Sequence, residues 1–358
     1  MPPLPADSGF RIGTVEGFFG RQWSWQARSD HASFLARQGF TTYLYAPKND
    51  AFLRKQWFEP YPAEAFAGLK SLAGHAAGLK LEFGVGLSPF ELYRDFSAAN
   101  RERLLRKIDQ LNALQAPLLA VLFDDMMGEL PGLAETQLAI FDCIKAHSNA
   151  RAFALCPTYY SDDPALVKHF GRQPERYLET LGRSLAPDVE VFWTGPRVIS
   201  QAYPRDHLLE LRERLGRKPL LWDNYPVNDA KRLTPFLHLL PFERRQQAGE
   251  RFDLANIRDL CSGLLANPMN QAYLSQLPLT SLARLLHGQA STVPAAAGVL
   301  QCLIEDADLF ASRGLEALTP DEHSSLLQRY QALLPDPMAR EVCEWLQGLY
   351  AFDPACLT

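Results

Sequence analysis

The sequence predicts an α/β fold, a (β/α)8 TIM barrel followed by a small all-helical C-terminal region, on three observations. Short β-branched or aromatic runs alternate with longer amphipathic stretches from Arg11 to about residue 287, the pattern of parallel βα units. The runs number eight, enough to close one barrel. Beyond residue 290 the pattern changes to helices alone.

The strand runs are Arg11–Val15, Thr41–Ala46, Leu81–Gly86, Leu118–Phe123, Ala152–Cys156, Val189–Trp193, Pro219–Trp222 and the weaker Gly263–Ala266. Between them Trp25–Gln38, Ala63–Ala77, Ala98–Leu114, Thr136–His147, Glu175–Leu185 and Arg205–Leu215 carry apolar residues at helical steps. Gly39, Gly78 and Gly216 read as stops for three of these helices. The late segments Pro294–Phe310, Pro320–Leu334 and Asp336–Leu349 have prolines at their starts, where helices tolerate them. The expected division is a tail at 1–9, a catalytic barrel at 10–289 and a helical region at 290–358.

A doubly wound open sheet competes with the barrel, but it needs fewer strands and a phosphate-cradling glycine turn after the first. No G-x-G-x-x-G or Walker sequence occurs, and Gly84-Val85-Gly86 reads as tight strand packing.

Composition excludes several function classes. Of 358 residues 47% are apolar and 22% charged, an ordinary globular balance. Lys and Arg number 36 against 41 Asp and Glu, a net charge of -5 that offers no basic surplus for nucleic acid. Met1 to Gly13 lacks an apolar signal-peptide run, and no segment approaches a membrane span, so a cytoplasmic protein is expected. The six cysteines have no Cys-x-x-Cys pair and read as buried thiols in a reducing compartment. The eight histidines show no His-x-x-x-His spacing, no Gly-x-Ser-x-Gly elbow is present, and neither a metal nor a cofactor is expected.

In such a barrel the chemistry lies at the carboxyl ends of the strands. Here those ends read Glu16-Gly17, Pro47-Lys48-Asn49-Asp50, Asp124-Asp125, Thr158-Tyr159-Tyr160, Trp193-Thr194-Gly195, Trp222-Asp223-Asn224 and Asn267. Carboxylates, amides, one lysine and indole rings suit a sugar, which shows hydroxyls at its edges and C–H groups on its faces. Asp124-Asp125 is the sharpest feature, because adjacent carboxylates cannot both ionise easily and one becomes a general acid. A retaining glycosidase that uses a protein nucleophile sets its carboxyls about 5 Å apart on separate strands, a poor match to chain neighbours. A substrate that brings its own nucleophile, such as a 2-acetamido sugar, matches better. The pair could instead bind a metal or cap a helix, as Asp162-Asp163 before Pro164 suggests for itself. Lys48 could be a snorkelling surface lysine, and Trp222 and Tyr160 could be rim packing.

Seven ordered motifs resemble the family-84 glycoside hydrolases, which include the O-GlcNAcases and related β-N-acetylglucosaminidases. They are Gly13-Thr-Val-Glu-Gly-Phe-Phe-Gly20 with Trp23, Tyr43-Leu-Tyr-Ala-Pro-Lys-Asn-Asp50, Leu122-Phe-Asp-Asp125, Cys156-Pro-Thr-Tyr-Tyr160, Trp193-Thr-Gly-Pro196, Trp222-Asp-Asn224 with Asn228-Asp229, and Asn267-Pro-Met-Asn270. The resemblance covers roughly residues 10 to 287. It implies removal of terminal β-linked N-acetylglucosamine with retention, through an oxazoline-type intermediate, from a glycoside, glycan or glycoprotein. By that resemblance Asp124 orients and polarises the acetamido N–H, while Asp125 protonates the glycosidic oxygen and then activates water. Gly17 by its backbone, Lys48, Asn224, Asp229 and Asn267 hold sugar hydroxyls, and Tyr160 and Trp222 enclose the acetamido group. Phe19 stands where the family commonly has Tyr, and Asn49 where it commonly has Asp. A catalytically silent glycan-binding barrel, or a glycosidase of cell-wall or hyaluronan-derived N-acetyl sugars, uses the same residue types.

Overall fold

In the computed structural model, which describes residues 9–244, 252–288 and 297–352, eight parallel strands close on themselves in chain order. They are β1 (Arg11–Glu16), β2 (Thr42–Tyr45), β3 (Glu82–Leu87), β4 (Leu118–Leu122), β5 (Ala152–Cys156), β6 (Glu190–Trp193), β7 (Leu220–Asp223) and β8 (Gly263–Ala266). Each predicted run carries its strand to within one residue at either end. β8 returns to β1 with Arg11 opposite Gly263 and Thr14 opposite Ala266, which leaves no unpaired edge. Nearly every strand residue is buried, because side chains fill the barrel and helices cover its outside. Close packing also accounts for Gly84 and Gly86. A Cβ on Gly84 would lie 2.8 Å from the side chains of Leu118 and Leu44, and one on Gly86 would lie 2.6 Å from that of Ala46.

The outer layer consists of α1 (Trp25–Arg37), α2 (Ala63–Gly78), α3 (Ala98–Asn112), α4 (Leu133–His147), α5 (Pro164–Phe170), α6 (Tyr177–Ser184), α7 (Arg205–Leu215), α8 (Leu254–Leu260) and α9 (Gln276–Leu286). The sequence pattern does not single out α5 and α8. Each has seven residues, too few for a helical period to rise above chance. Gly78 does not stop α2 but forms its last residue, and the left-handed turn falls on Lys80 instead. Asp163 caps α5 by accepting the Ala165 N–H at 2.9 Å, the capping role its position before Pro164 suggests.

The last helices are α10 (Val299–Ser312), α11 (Pro320–Gln331) and α12 (Pro337–Leu346). Pro294, the expected start of α10, lies outside the described residues. These helices do not hang from the barrel as an appendage. Phe310, Tyr330, Val342 and Trp345 share an apolar core with Leu237 and Leu239 after β7 and with Met269 and Leu274 after β8. Trp345 Nε1 donates to the Thr234 carbonyl at 3.1 Å, and the Glu341 carboxylate accepts the backbone N–H of Tyr273 and Leu274. α12 thus grips the loops on the carboxyl face of the barrel.

Among the described residues no helix is long and apolar enough to cross a membrane. Cys156, Cys261 and Cys343 are buried free thiols, whereas Cys143 and Cys302 are only half-buried. Cys356 lies outside the described residues.

Candidate active site

The carboxyl ends of the strands surround a cavity of about 230 Å³, and all nine residues singled out from the sequence line it. That is below the roughly 300–1,000 Å³ typical of pockets for drug-sized ligands, a scale suited to one sugar ring.

β4 is apolar and buried throughout, so the chain that leaves it delivers Asp124 and Asp125 directly to the cavity floor. Asp125 adopts a left-handed backbone, φ 56°, which costs a residue with a side chain about 1 kcal/mol. Lys48, delivered by the end of β2, is buried and donates from Nζ to Asp124, with Asp125 Oδ2 3.7 Å away. A snorkelling lysine is thereby ruled out. Burial raises the Asp124 carboxyl above the usual carboxylate range; Lys48 opposes the rise and the neighbouring Asp125 adds to it. The sequence reading expected one raised carboxyl to serve as the general acid and attributed the rise to the neighbouring carboxylate; the raised group is Asp124, to which the resemblance gives the N–H role, and burial is the larger cause. Asp124 Oδ1 is buried without a hydrogen-bond partner among the described residues, an unused acceptor on a residue that lines the cavity. The pair caps no helix, since the next one begins at Leu133. Among the described residues no cluster of three His, Cys, Asp or Glu side chains could hold a metal ion.

Tyr160 arrives from β5, and its hydroxyl donates to Asp125 Oδ1 at 2.9 Å. Burial, and then the charge of Asp125, hold its phenol well above the ordinary value, so it remains a donor. Cys156 lines the cavity too, but burial and the nearby Asp124 push its thiol upward, away from nucleophilic use.

The opposite wall is a ring of amides. Gly17 donates its N–H to Asn267 Oδ1 at 3.2 Å, and Asn267 Nδ2 donates to Asn224 Oδ1 at 2.9 Å. Trp222 Nε1 donates to that same Asn224 oxygen at 3.0 Å. The indole lies so close over Gly17 that a Cβ there would come within 2.1 Å of it. Asp229 accepts the Phe19 N–H at 2.9 Å, and burial pushes its carboxyl up to about 6 against that hydrogen bond.

Three strand-end carboxylates stand apart. Glu16 is buried in an ion pair with Arg28 at 2.8 Å and accepts the Tyr43 hydroxyl at 2.5 Å. Asp50 accepts the hydroxyls of Tyr45 and Tyr61, and Asp223 is buried without lining the cavity. Tyr159 likewise turns away and donates to the Gly171 carbonyl. Sequence reasoning missed the apolar mouth of the cavity, formed by Val198, Ile199, Leu233 and Phe352. These come from long loops and from beyond the last helix, where no motif marks them.

A family model described as beta-N-acetylglucosaminidase matches residues 12–297. The chain belongs to that family. It is 32% identical over 240 residues to the protein O-GlcNAcases of Mus musculus and Rattus norvegicus, a stretch covering 64% of this chain and 26% of each relative. The chain therefore spans about a quarter of the length of those curated relatives. A mutant O-GlcNAc hydrolase of Thermobaculum terrenum superposes with a TM-score of 0.74 at 27% identity, covering 95% of this chain and 81% of that one. The barrel and the family expected from the seven motifs both hold.

Proposed function

We propose that this chain is a retaining exo-β-N-acetylglucosaminidase that removes terminal β-linked N-acetylglucosamine from glycosides or glycoproteins with the help of the substrate's own acetamido group. One observation carries the reading: two adjacent carboxylates share one small cavity, the deeper paired with Lys48 yet keeping an unused acceptor oxygen. In this reading Asp124 Oδ1 accepts the acetamido N–H, which sharpens the amide oxygen as the nucleophile at the anomeric carbon. Asp125, more open to the cavity at 24% exposure and oriented by the Tyr160 hydroxyl, gives its proton to the departing glycosidic oxygen. An oxazoline forms, water adds to it with Asp125 now accepting the proton, and the β configuration is retained. Lys48 supports this division of labour by pairing with Asp124 and opposing the rise that burial imposes on it. Gly17, Asn224, Asp229 and Asn267 hold the hydroxyls, while Trp222 and Tyr160 enclose the acetamido methyl.

The test is release of a chromogenic phenol from its β-N-acetylglucosaminide, beside the β-glucoside, the β-N-acetylgalactosaminide and the Asp125→Ala variant. Turnover of the N-acetylglucosaminide alone, lost in the variant and blocked by an N-thiazoline mimic of the cyclised sugar, is expected. Intact binding of N-acetylglucosamine without turnover would overturn the enzyme reading in favour of a glycan-binding barrel.

A further inference from the structure

Arg54 is a buried cation that the reading above does not use. It follows the short turn after β2, is 2% exposed, and does not line the cavity. Its guanidinium stacks between two aromatic rings, 4.6 Å from the centre of Phe90 and 5.5 Å from that of Phe19. Nη2 donates to the backbone carbonyl of Asp125 at 3.4 Å. Nε and Nη1 make no hydrogen bond among the described residues. A buried cation without a counter-charge costs several kcal/mol, so its position needs a compensating anion. The Asp124–Asp125 pair meets that need. Lys48 offsets the charge of Asp124, and Arg54 stands behind the pair to offset the second charge that appears once Asp125 has given up its proton.

We propose that Arg54 is a positioning residue for Asp125: its buried guanidinium fixes the left-handed backbone that aims this carboxyl and balances the charge of the Asp124–Asp125 pair, without touching the sugar. The proposal rests on the acid role assigned to Asp125 above. The other titratable groups facing the pair are Lys48, Tyr160, Cys156 and Asp229. Arg54 acts on Asp124 in the same direction as Lys48, lowering it against burial.

Two variants separate charge from hydrogen bond. Arg54→Met removes both, and Arg54→Lys keeps the charge while losing the forked donor. The first readout is the carbon-13 carboxyl titration of Asp124 in the protein without substrate, which does not depend on turnover. Its midpoint is expected to rise in Arg54→Met and to stay at the wild-type value in Arg54→Lys. The second readout is turnover of aryl N-acetylglucosaminides with poor leaving groups. There kcat should fall by about tenfold or more in both variants, while KM and inhibition by N-acetylglucosamine hold within about twofold. Wild-type titration and kcat in Arg54→Met would overturn the proposal, as would equal losses in kcat and sugar binding. Should Arg54→Met fail to fold, Arg54→Lys decides: a lower kcat at unchanged titration supports the role, and wild-type kcat refutes it. If Asp125→Ala retains wild-type turnover, the acid assignment falls by itself, and the titration still decides the charge balance.

Discussion

Glu341 offers a quantitative test of how α12 holds the carboxyl face of the barrel. Its buried carboxylate accepts the N–H of Tyr273 at 3.0 Å and that of Leu274 at 2.9 Å, in the loop that leads from β8 to α9. Burial pushes the Glu341 carboxyl up to about 8 from an ordinary 4.5, and the backbone N–H groups only partly oppose it. In the unfolded chain the group titrates near 4.5, so between pH 4.5 and about 8 the folded protein holds a proton that the unfolded chain has released. The stability it contributes is fully present below pH 4.5 and is lost as pH rises toward 8. At about 1.4 kcal/mol per pH unit, the whole window amounts to on the order of 5 kcal/mol. Glu341→Gln cannot ionise, and its amide presents an NH2 group to donors that need an acceptor, a loss of about 1–3 kcal/mol at low pH. Urea unfolding from about pH 5 to about pH 8 should therefore give a wild-type stability that falls more steeply than that of the variant. The two should differ by about 1.4 kcal/mol per pH unit inside the window. Parallel pH dependences would refute the reasoning.

Gly17→Ala places a methyl 2.1 Å from the Trp222 ring and forces the indole out of the cavity. Steady-state kinetics should show kcat/KM reduced by about tenfold or more, with only about 1–3 kcal/mol lost from stability. Arg28→Met strands the Glu16 carboxylate in the core with the Tyr43 hydroxyl alone and should cost about 3–5 kcal/mol in denaturant unfolding. A loss under about 1 kcal/mol would show that Glu16 is held by something other than the ion pair. With the Asp229 carboxyl at about 6, N-acetylglucosamine affinity measured calorimetrically should weaken as pH falls through that value. Asp229→Asn should bind more weakly near neutral pH and lose that pH dependence, and an unchanged profile would remove Asp229 from the sugar contacts.

Much of this site was legible because the relevant signals are local. The run Leu118–Phe123 is apolar without interruption, which marks a strand buried on both faces, and the two aspartates that end it can only emerge at the barrel rim. Lys48 and Trp222 follow by the same logic, each sitting where an apolar run ends. That logic overreaches at Glu16, Asp50 and Asp223, which also end strands yet point away from the cavity. The end of a strand specifies height in the barrel, whereas the direction of a side chain depends on strand tilt and on the partner waiting outside. For Glu16 that partner is Arg28 on α1, and nothing in the spacing of the two residues announces an ion pair.

Tertiary packing alone decided the rest. Arg54 behind Asp125, Glu341 beneath the β8 loop and Phe352 at the mouth come from segments distant in the chain or without periodicity, and no motif joins them to the aspartates. Hydrophobic periodicity and strand-end chemistry are properties of a few consecutive residues, so the order of elements and the floor of the cavity could be read directly from the chain. Which buried charge meets which counter-charge is settled by burial, since a charge removed from water must find its partner in whatever the closed barrel and its last helices bring alongside.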